Sequence, residues 1–200
     1  MAKYFMFHKP KGCITATVDP RHKTVFDYVK EDDKDGLFPV GRLDKDTEGL
    51  LFFTDDGMWC DALMHPKHHV EKTYFFYAIG QMTDEKKKKL EDGLSIDMGI
   101  SITKPATFCL LSTSTLSEIS DYLSEDENKR AKKHPNTPIF SATLTISEGK
   151  KHQVKRMIRC VGCYVVYLKR VAIGKVKLDE SLKPGTYRPL TREELNNLSQ

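Results

Sequence analysis

No apolar run in the chain approaches the ~20 residues that cross a bilayer. The opening segment, Tyr4-Phe5-Met6-Phe7-His8-Lys9-Pro10, breaks at a proline too soon for a secretory leader. Both absences point to a cytoplasmic protein with no membrane partner. A glycine-rich phosphate loop and a Gly-x-Ser-x-Gly elbow are also lacking, and the histidines at 65, 68 and 69 have no spaced carboxylate or cysteine partner to complete a metal set. Nucleotide-driven, zinc-hydrolase and serine-hydrolase chemistries therefore lose support, and no cofactor and no metal are expected. The five cysteines are odd in number and scattered, which suits reduced thiols better than a disulfide framework. Cys160 and Cys163 have the spacing of half a zinc knuckle, but no second pair completes it, and they read as packing residues.

Aromatic residues, by contrast, are plentiful. Ten Phe and eight Tyr within a 39% hydrophobic composition exclude a disordered chain, and 200 residues suffice for one domain, 1–200, with its own core. The net charge of +4 and pI near 8.7 hint at a polyanionic partner, a matter for the distribution of charge to decide.

Along the chain, residues 4–8 read as a strand and 13–18 as its hairpin partner. Residues 24–29 offer a capped short helix, 37–43 an extended apolar segment and 50–54 a buried strand, with a charged turn at 44–49 between the last two. A helix is expected over 58–64 and a strand over 70–79, with Tyr74, Phe76 and Ala78 on one face and Phe75, Tyr77 and Ile79 on the other. The amphipathic helix 83–94 carries Lys86 to Lys89, a run read as a solvated face. Strands over 108–111 and 139–146 enclose a long polar insertion, 112–138, helical around 116–123 and mobile near 125–136. Val154, Ile158 and Val161 form the core face of a basic helix that ends at Gly162; a strand at 164–168 and a helix at 191–198 follow. The sum is an α+β fold with a mixed, largely antiparallel central sheet, flanking helices and a central cleft.

Two features could carry chemistry. Asp44, Asp46 and Glu48 place three carboxylates in five residues between buried strands, a costly crowding unless the loop faces a cleft or a cationic partner. The helix with Lys151, His152, Lys155, Arg156 and Arg159 supplies such a partner and could bind phosphates, because no acid lies between positions 149 and 178. Residue types alone do not say which of the three carboxylates matters.

Four segments together resemble the RsuA-like pseudouridine synthases of ribosomal RNA. They are Gly41-Arg42-Leu43-Asp44-Lys45-Asp46-Thr47-Glu48-Gly49-Leu50-Leu51, Pro66-Lys67-His68-His69-Val70-Glu71-Lys72-Thr73-Tyr74, Ile146-Ser147-Glu148-Gly149-Lys150-Lys151-His152-Gln153-Val154-Lys155-Arg156-Met157, and Leu182-Lys183-Pro184-Gly185-Thr186-Tyr187-Arg188-Pro189-Leu190-Thr191. The resemblance implies the pseudouridine synthase fold, with Asp44 as the catalytic carboxylate, Tyr74 against the target base and Lys155 paired with Asp44. It implies that Arg42 fills the space of a flipped nucleotide. Lys150, Lys151, Arg156, Arg159, Lys169 and Arg170 become phosphate contacts. His65, His68 and His69 read as structural or RNA-contacting rather than as ligands.

The implied reaction breaks the N1–C1′ bond of a uridine and joins C5 to C1′ without a cofactor, the carboxylate acting as nucleophile at the sugar or as base at C2′. The partner is ribosomal RNA or an assembly intermediate, of the small subunit by motif wording, with a large-subunit target as the alternative. A non-catalytic RNA-binding or ribosome-assembly protein and a two-carboxylate glycosidase are the competing classes. His8 stands where the family usually has Asn. The small basic module that precedes many relatives' catalytic domain, the S4 module, is not expected here, and the chain is expected to be a monomer.

Overall fold

The structure is a computed structural model that describes residues 2–96, 99, 100 and 102–198. It divides into two compact units, Met1–Lys72 with Lys169–Gln200, and Thr73–Leu168.

In the first unit, β1 (Tyr4–Lys9) pairs antiparallel with β3 (Glu48–Thr54) on one side and with β9 (Tyr187–Pro189) on the other. β2 (Phe38–Val40) pairs with the far end of β3. The continuous apolar run Leu50-Leu51-Phe52-Phe53 exists because this sheet is covered on both faces. Leu50 and Phe52 join Met6, Val40, Leu63 and Ile173 in one core, while Leu51 and Phe53 join Phe7, Val25, Phe26 and Leu37 in another. Residues 13–18 are not the hairpin partner of β1; Ile14 only bridges Thr24. The apolar run of β3 outcompetes them for that edge, and Thr24 instead caps a 3-10 turn over Val25–Tyr28 with a reciprocal Asp27 bond. Helix α1 (Gly57–Met64) is capped by Asp56, as its position after a turn suggests.

In the second unit, β4 (Lys72–Ile79) sends Phe76, Ala78 and Tyr74 into a core shared with β5 (Thr107–Thr115), β6 (Pro138–Ile146), α2 (Asp84–Asp92) and α4 (Gln153–Cys160). Both predicted faces of β4 are observed. The lysine run of α2 is met by i,i+4 acids, Lys87–Glu91, Lys88–Asp92 and Lys89–Glu85, a solvated face as expected. On α4, Val154, Met157, Ile158 and Val161 are buried. Its end is a Schellman turn, with Gly162 at φ 74°, Gly162 N–H bonded to Arg159 O and Cys163 N–H bonded to Ile158 O.

β7 (Tyr164–Ile173) begins in the second unit and ends in the first, five residues longer than the predicted strand. Its later part pairs in parallel with β3, Glu48 opposite Lys169 and Gly49 opposite Arg170, and β8 (Val176–Lys177) folds back on its end. This parallel pair stands beside the antiparallel pairs β1–β3, β1–β9, β2–β3, β5–β6 and β7–β8, and the sheet is mixed.

The polar insertion is more ordered than its composition suggests. A 3-10 segment, Leu116–Tyr122, and α3 (Glu125–Lys133) pack Leu116, Ile119 and Ala131 against Ile139 and Val166, with Tyr77 and Ile79 beside them. Residues 125–133 are helical, not an irregular loop, because Ser124 and Glu127 form a capping box and the apolar positions are spaced to cover the outer face of the sheet.

Candidate active site

The loop that carries Asp44 is built from the first unit's sheet. Glycines bracket it for steric reasons: at Gly41 (φ 73°) a Cβ would strike the Met64 side chain, and at Gly49 (φ 114°) it would strike the Arg170 backbone. Thr15 Oγ1 accepts from Leu43 N–H at 3.0 Å and donates to Leu43 O at 2.9 Å. Gly12 N–H donates to Lys45 O, and Thr47 N–H to Asp44 O.

Beneath the loop lies Lys9, 0% exposed. Its ammonium donates to the carbonyls of Asp44 (3.0 Å), Thr47 (2.9 Å) and Pro10 (3.1 Å), which uses all three of its protons. Burial pushes its pKa down from the ordinary lysine range, against the opposing pull of Cys13, Asp46, Asp44 and Glu48. The cation thus lies inside the acidic loop and binds its backbone, leaving the half-buried Asp44 side chain to other partners.

Glu48 ends the loop and opens β3. His8 Nε2 lies 3.0 Å from Glu48 Oε1, and Lys169 Nζ lies 3.5 Å from the same oxygen. Burial pushes the Glu48 carboxyl up, but the His8 hydrogen bond and the Lys169 charge outweigh it and hold the group below the ordinary carboxylate range. Lys169, expected at a phosphate, is therefore engaged by an acid of its own unit. Arg170, expected at a phosphate too, is 1% exposed, and its Nε donates to Leu50 O at 2.8 Å. A surface phosphate contact does not fit such burial; β7 runs on past Leu168 and carries Arg170 inward beside β3. Arg42, two residues before Asp44, is exposed.

The remaining candidates belong to the second unit. Tyr74 is half-buried on the core face of β4, and Lys155 is half-buried on α4. Lys151 and Arg159 are exposed. Lys150 Nζ donates to Ile102 O at 3.0 Å, and Arg156 donates to Ile96 O and to Lys151 O. These two tie the helix to its own neighbouring segment. Buried Gln153 completes the turn, donating to Glu148 Oε1 at 2.7 Å and accepting from Lys150 N–H.

The RNA pseudouridylate synthase family profile matches residues 3–159. The chain is 43% identical over 198 residues to the RNA pseudouridine synthase YtzG of Bacillus subtilis, covering 98% of this chain and 73% of that protein. It is 39% identical over 193 residues to ribosomal small subunit pseudouridine synthase A of Salmonella typhimurium, covering 96% of this chain and 72% of the relative. The chain belongs to the RNA pseudouridylate synthase family. A crystal structure of a pseudouridylate synthase, 35% identical, superposes with a TM-score of 0.80 over 99% of this chain and 74% of the other.

As a member of this family the protein is an isomerase with the pseudouridine synthase fold. The structure adds supporting residues that the sequence reading did not single out. Lys9 ends a strand of aromatics, and a lysine at a position whose alternation points inward was the one available signal. Lys72, 7% exposed, donates to Val70 O at 2.8 Å, and burial, followed by the nearby Arg170 charge, lowers its pKa to about 8. Nothing in its local pattern distinguishes it from a surface lysine. Cys160 is exposed and Cys163 buried, with Cys163 Sγ toward Gln81 O, a packing position.

Proposed function

We propose that the protein converts a specific uridine of small-subunit ribosomal RNA to pseudouridine in the cytoplasm, with Asp44 as its catalytic carboxylate. The observation that carries the reading is likeness over nearly the whole chain to an enzyme named for that subunit, together with an Asp44 loop whose backbone is fixed from below by Lys9. Breaking N1–C1′ and forming C5–C1′ requires a group that bonds C1′ or takes the C2′ proton. A carboxylate serves either route. The C5 proton is then lost and N1 regains one, so atoms and charge balance.

In this reading Tyr74 offers the freed uracil a flat apolar face and Lys155 is the basic partner of the catalytic carboxylate. Arg42, exposed ahead of Asp44, fills the gap left by the extruded nucleotide. Phosphate contacts fall to the exposed Lys151 and Arg159 first.

The test is tritium release from RNA labelled at uridine C5. Wild type releases the label and Asp44→Asn lowers the rate by at least about three orders of magnitude. Carbodiimide mapping in a deletion strain loses one small-subunit pseudouridine; loss of a large-subunit site instead would overturn the target, and no loss with no tritium release would favour a purely RNA-binding protein.

A further inference from the structure

β5 pairs with β6 on one side and with no strand on the other. Among the described residues, no backbone hydrogen bond outside the β6 ladder engages residues 107–115, so one edge of a nine-residue strand is open. Proteins ordinarily protect such an edge with charge, proline or brevity. β9, which pairs with β1 alone, is three residues long, carries Arg188 and ends at Pro189. β5 has none of these devices: Thr-Phe-Cys-Leu-Leu-Ser-Thr-Ser-Thr contains no charge, no proline and no glycine. Its exposed side chains include Leu110 at 46% and Leu111 at 52%.

Beside that edge the surface is hollow. A cavity of about 510 Å³ opens where Leu110, Thr113 and Thr115 meet Phe140 and Met82, and no charged residue lines it. The one irregularity of β5 decides which residues share this face. Phe108 lies opposite Leu144 and Leu110 opposite Ala142, but the register shifts before Ser112, so Thr113 lies opposite Phe140. Leu144, Ala142 and Phe140 all belong to the second unit's core. The cavity face therefore holds Phe108 and Leu110 from one half of β5 and Thr113 and Thr115 from the other, while Cys109, Ser112 and Ser114 point the opposite way. The Ser112 hydroxyl, 2.7 Å from that of Ser141, marks this second face.

A strand that completes the edge must be uncharged and must bring an apolar side chain to the cavity mouth. β5 of a second copy meets both conditions. In an antiparallel pair with its two-fold axis between Leu111 and Ser112, Leu110 of one copy faces Thr113 of the other, Cys109 faces Ser114 and Phe108 faces Thr115. Each of these pairs lies on one face only because the bulge shifts the alternation; in a regular strand the same register would set every residue against one of the opposite face. Residues near the axis meet their own copies, and an uncharged strand tolerates that.

We propose that the open edge of β5 pairs with β5 of a second copy, Leu110 of each covering the cavity of the other. This departs from the monomer expected on the sequence alone, and it does not rest on the reading of Asp44. Sedimentation of the full chain should show monomer and dimer in exchange at about 1–100 μM, as a small strand interface implies. Leu110→Lys should weaken association at least about tenfold, and adding Thr113→Glu should restore it, because each introduced cation then faces an acid of the other copy. Mild oxidation with diamide should link Ser114→Cys into a disulfide dimer through Cys109, and adding Cys109→Ser should abolish the link.

A chain that stays monomeric throughout that range would overturn the proposal, as would a dimer indifferent to Leu110→Lys or a cross-link that survives the loss of Cys109. Amide exchange in the unaltered chain is independent of any variant's folding: exchange within residues 107–115 should slow as concentration rises. Exchange there that ignores concentration would overturn the proposal, and protection that appears only on adding substrate RNA or another protein would assign the edge to that partner instead.

Discussion

A lysine with no exposed surface has to be explained by what it touches. Lys9 feels the charges of Asp46, Asp44 and Glu48, and its ammonium donates to three backbone carbonyls, two of them in the Asp44 loop. Lys9→Met fills similar volume but removes the lysine donor from those oxygens, Asp44 O keeping the Thr47 N–H, at a cost of about 1–3 kcal/mol. Urea unfolding should read that loss, and tritium release should fall by roughly a hundredfold through kcat, since the cations proposed to meet RNA are untouched. Lys72 gives the opposite expectation. Its pKa of about 8 in the folded chain is below the ordinary lysine value, so above about pH 8 the folded state has released a proton that the unfolded chain keeps. Stability therefore rises with pH through that window, by up to about 3 kcal/mol from this group. Thermal melts should show the rise in wild type and a flatter curve in Lys72→Met; a parallel pair of curves would contradict it. The Asp44 loop stands out in the sequence, because its wording is distinctive. Its supports do not: a buried lysine and a surface lysine share one letter, and only the tertiary arrangement separates them.

At the scale of elements, hydrophobic periodicity gave most strands and helices, and the errors came where partners are distant in sequence. Residues 13–18 alternate like a strand, yet β1 pairs with β3 and β9, some forty and one hundred eighty positions along the register. The insertion misled for another reason. Its polar composition hides three apolar residues, Leu116, Ile119 and Ala131, that close a small core against Ile139 and Val166. Ile119→Ala should therefore cost about 2–4 kcal/mol in urea unfolding, as a core truncation does, whereas a dangling loop would show less than about 0.5 kcal/mol. The β3–β7 pairing sets a similar constraint at Gly49. An alanine there combines a positive φ with a collision against the Arg170 backbone, and a loss of at least about 2 kcal/mol is expected, checked by the same measurement.

For the whole molecule the decisive quantity is where the charge lies. Positions 149–178 hold nine of the 32 Lys and Arg residues and none of the 28 acids, so the rest of the chain, taken alone, is negative by five. The net +4 is thus a local property, and RNA affinity should depend on this segment rather than on basic residues in general. Within it the structure sorts the cations. Arg170 is buried, Lys169 meets Glu48, and Lys150 and Arg156 bind backbone carbonyls of their own unit, while Lys151 and Arg159 are exposed. Binding of substrate RNA measured across a salt series separates the two groups. Lys151→Gln and Arg159→Gln should each weaken binding and lower the slope of log K against log salt by about 0.7–0.9, the release of one phosphate contact. Lys88→Gln, on the acid-matched face of α2, should leave both affinity and slope unchanged. Arg156→Gln should act through stability, loosening the segment around Ile96 before it alters the salt slope. Equal slopes for all four variants would mean that RNA reads the overall charge, and that the concentration of positive charge in one segment does not direct binding.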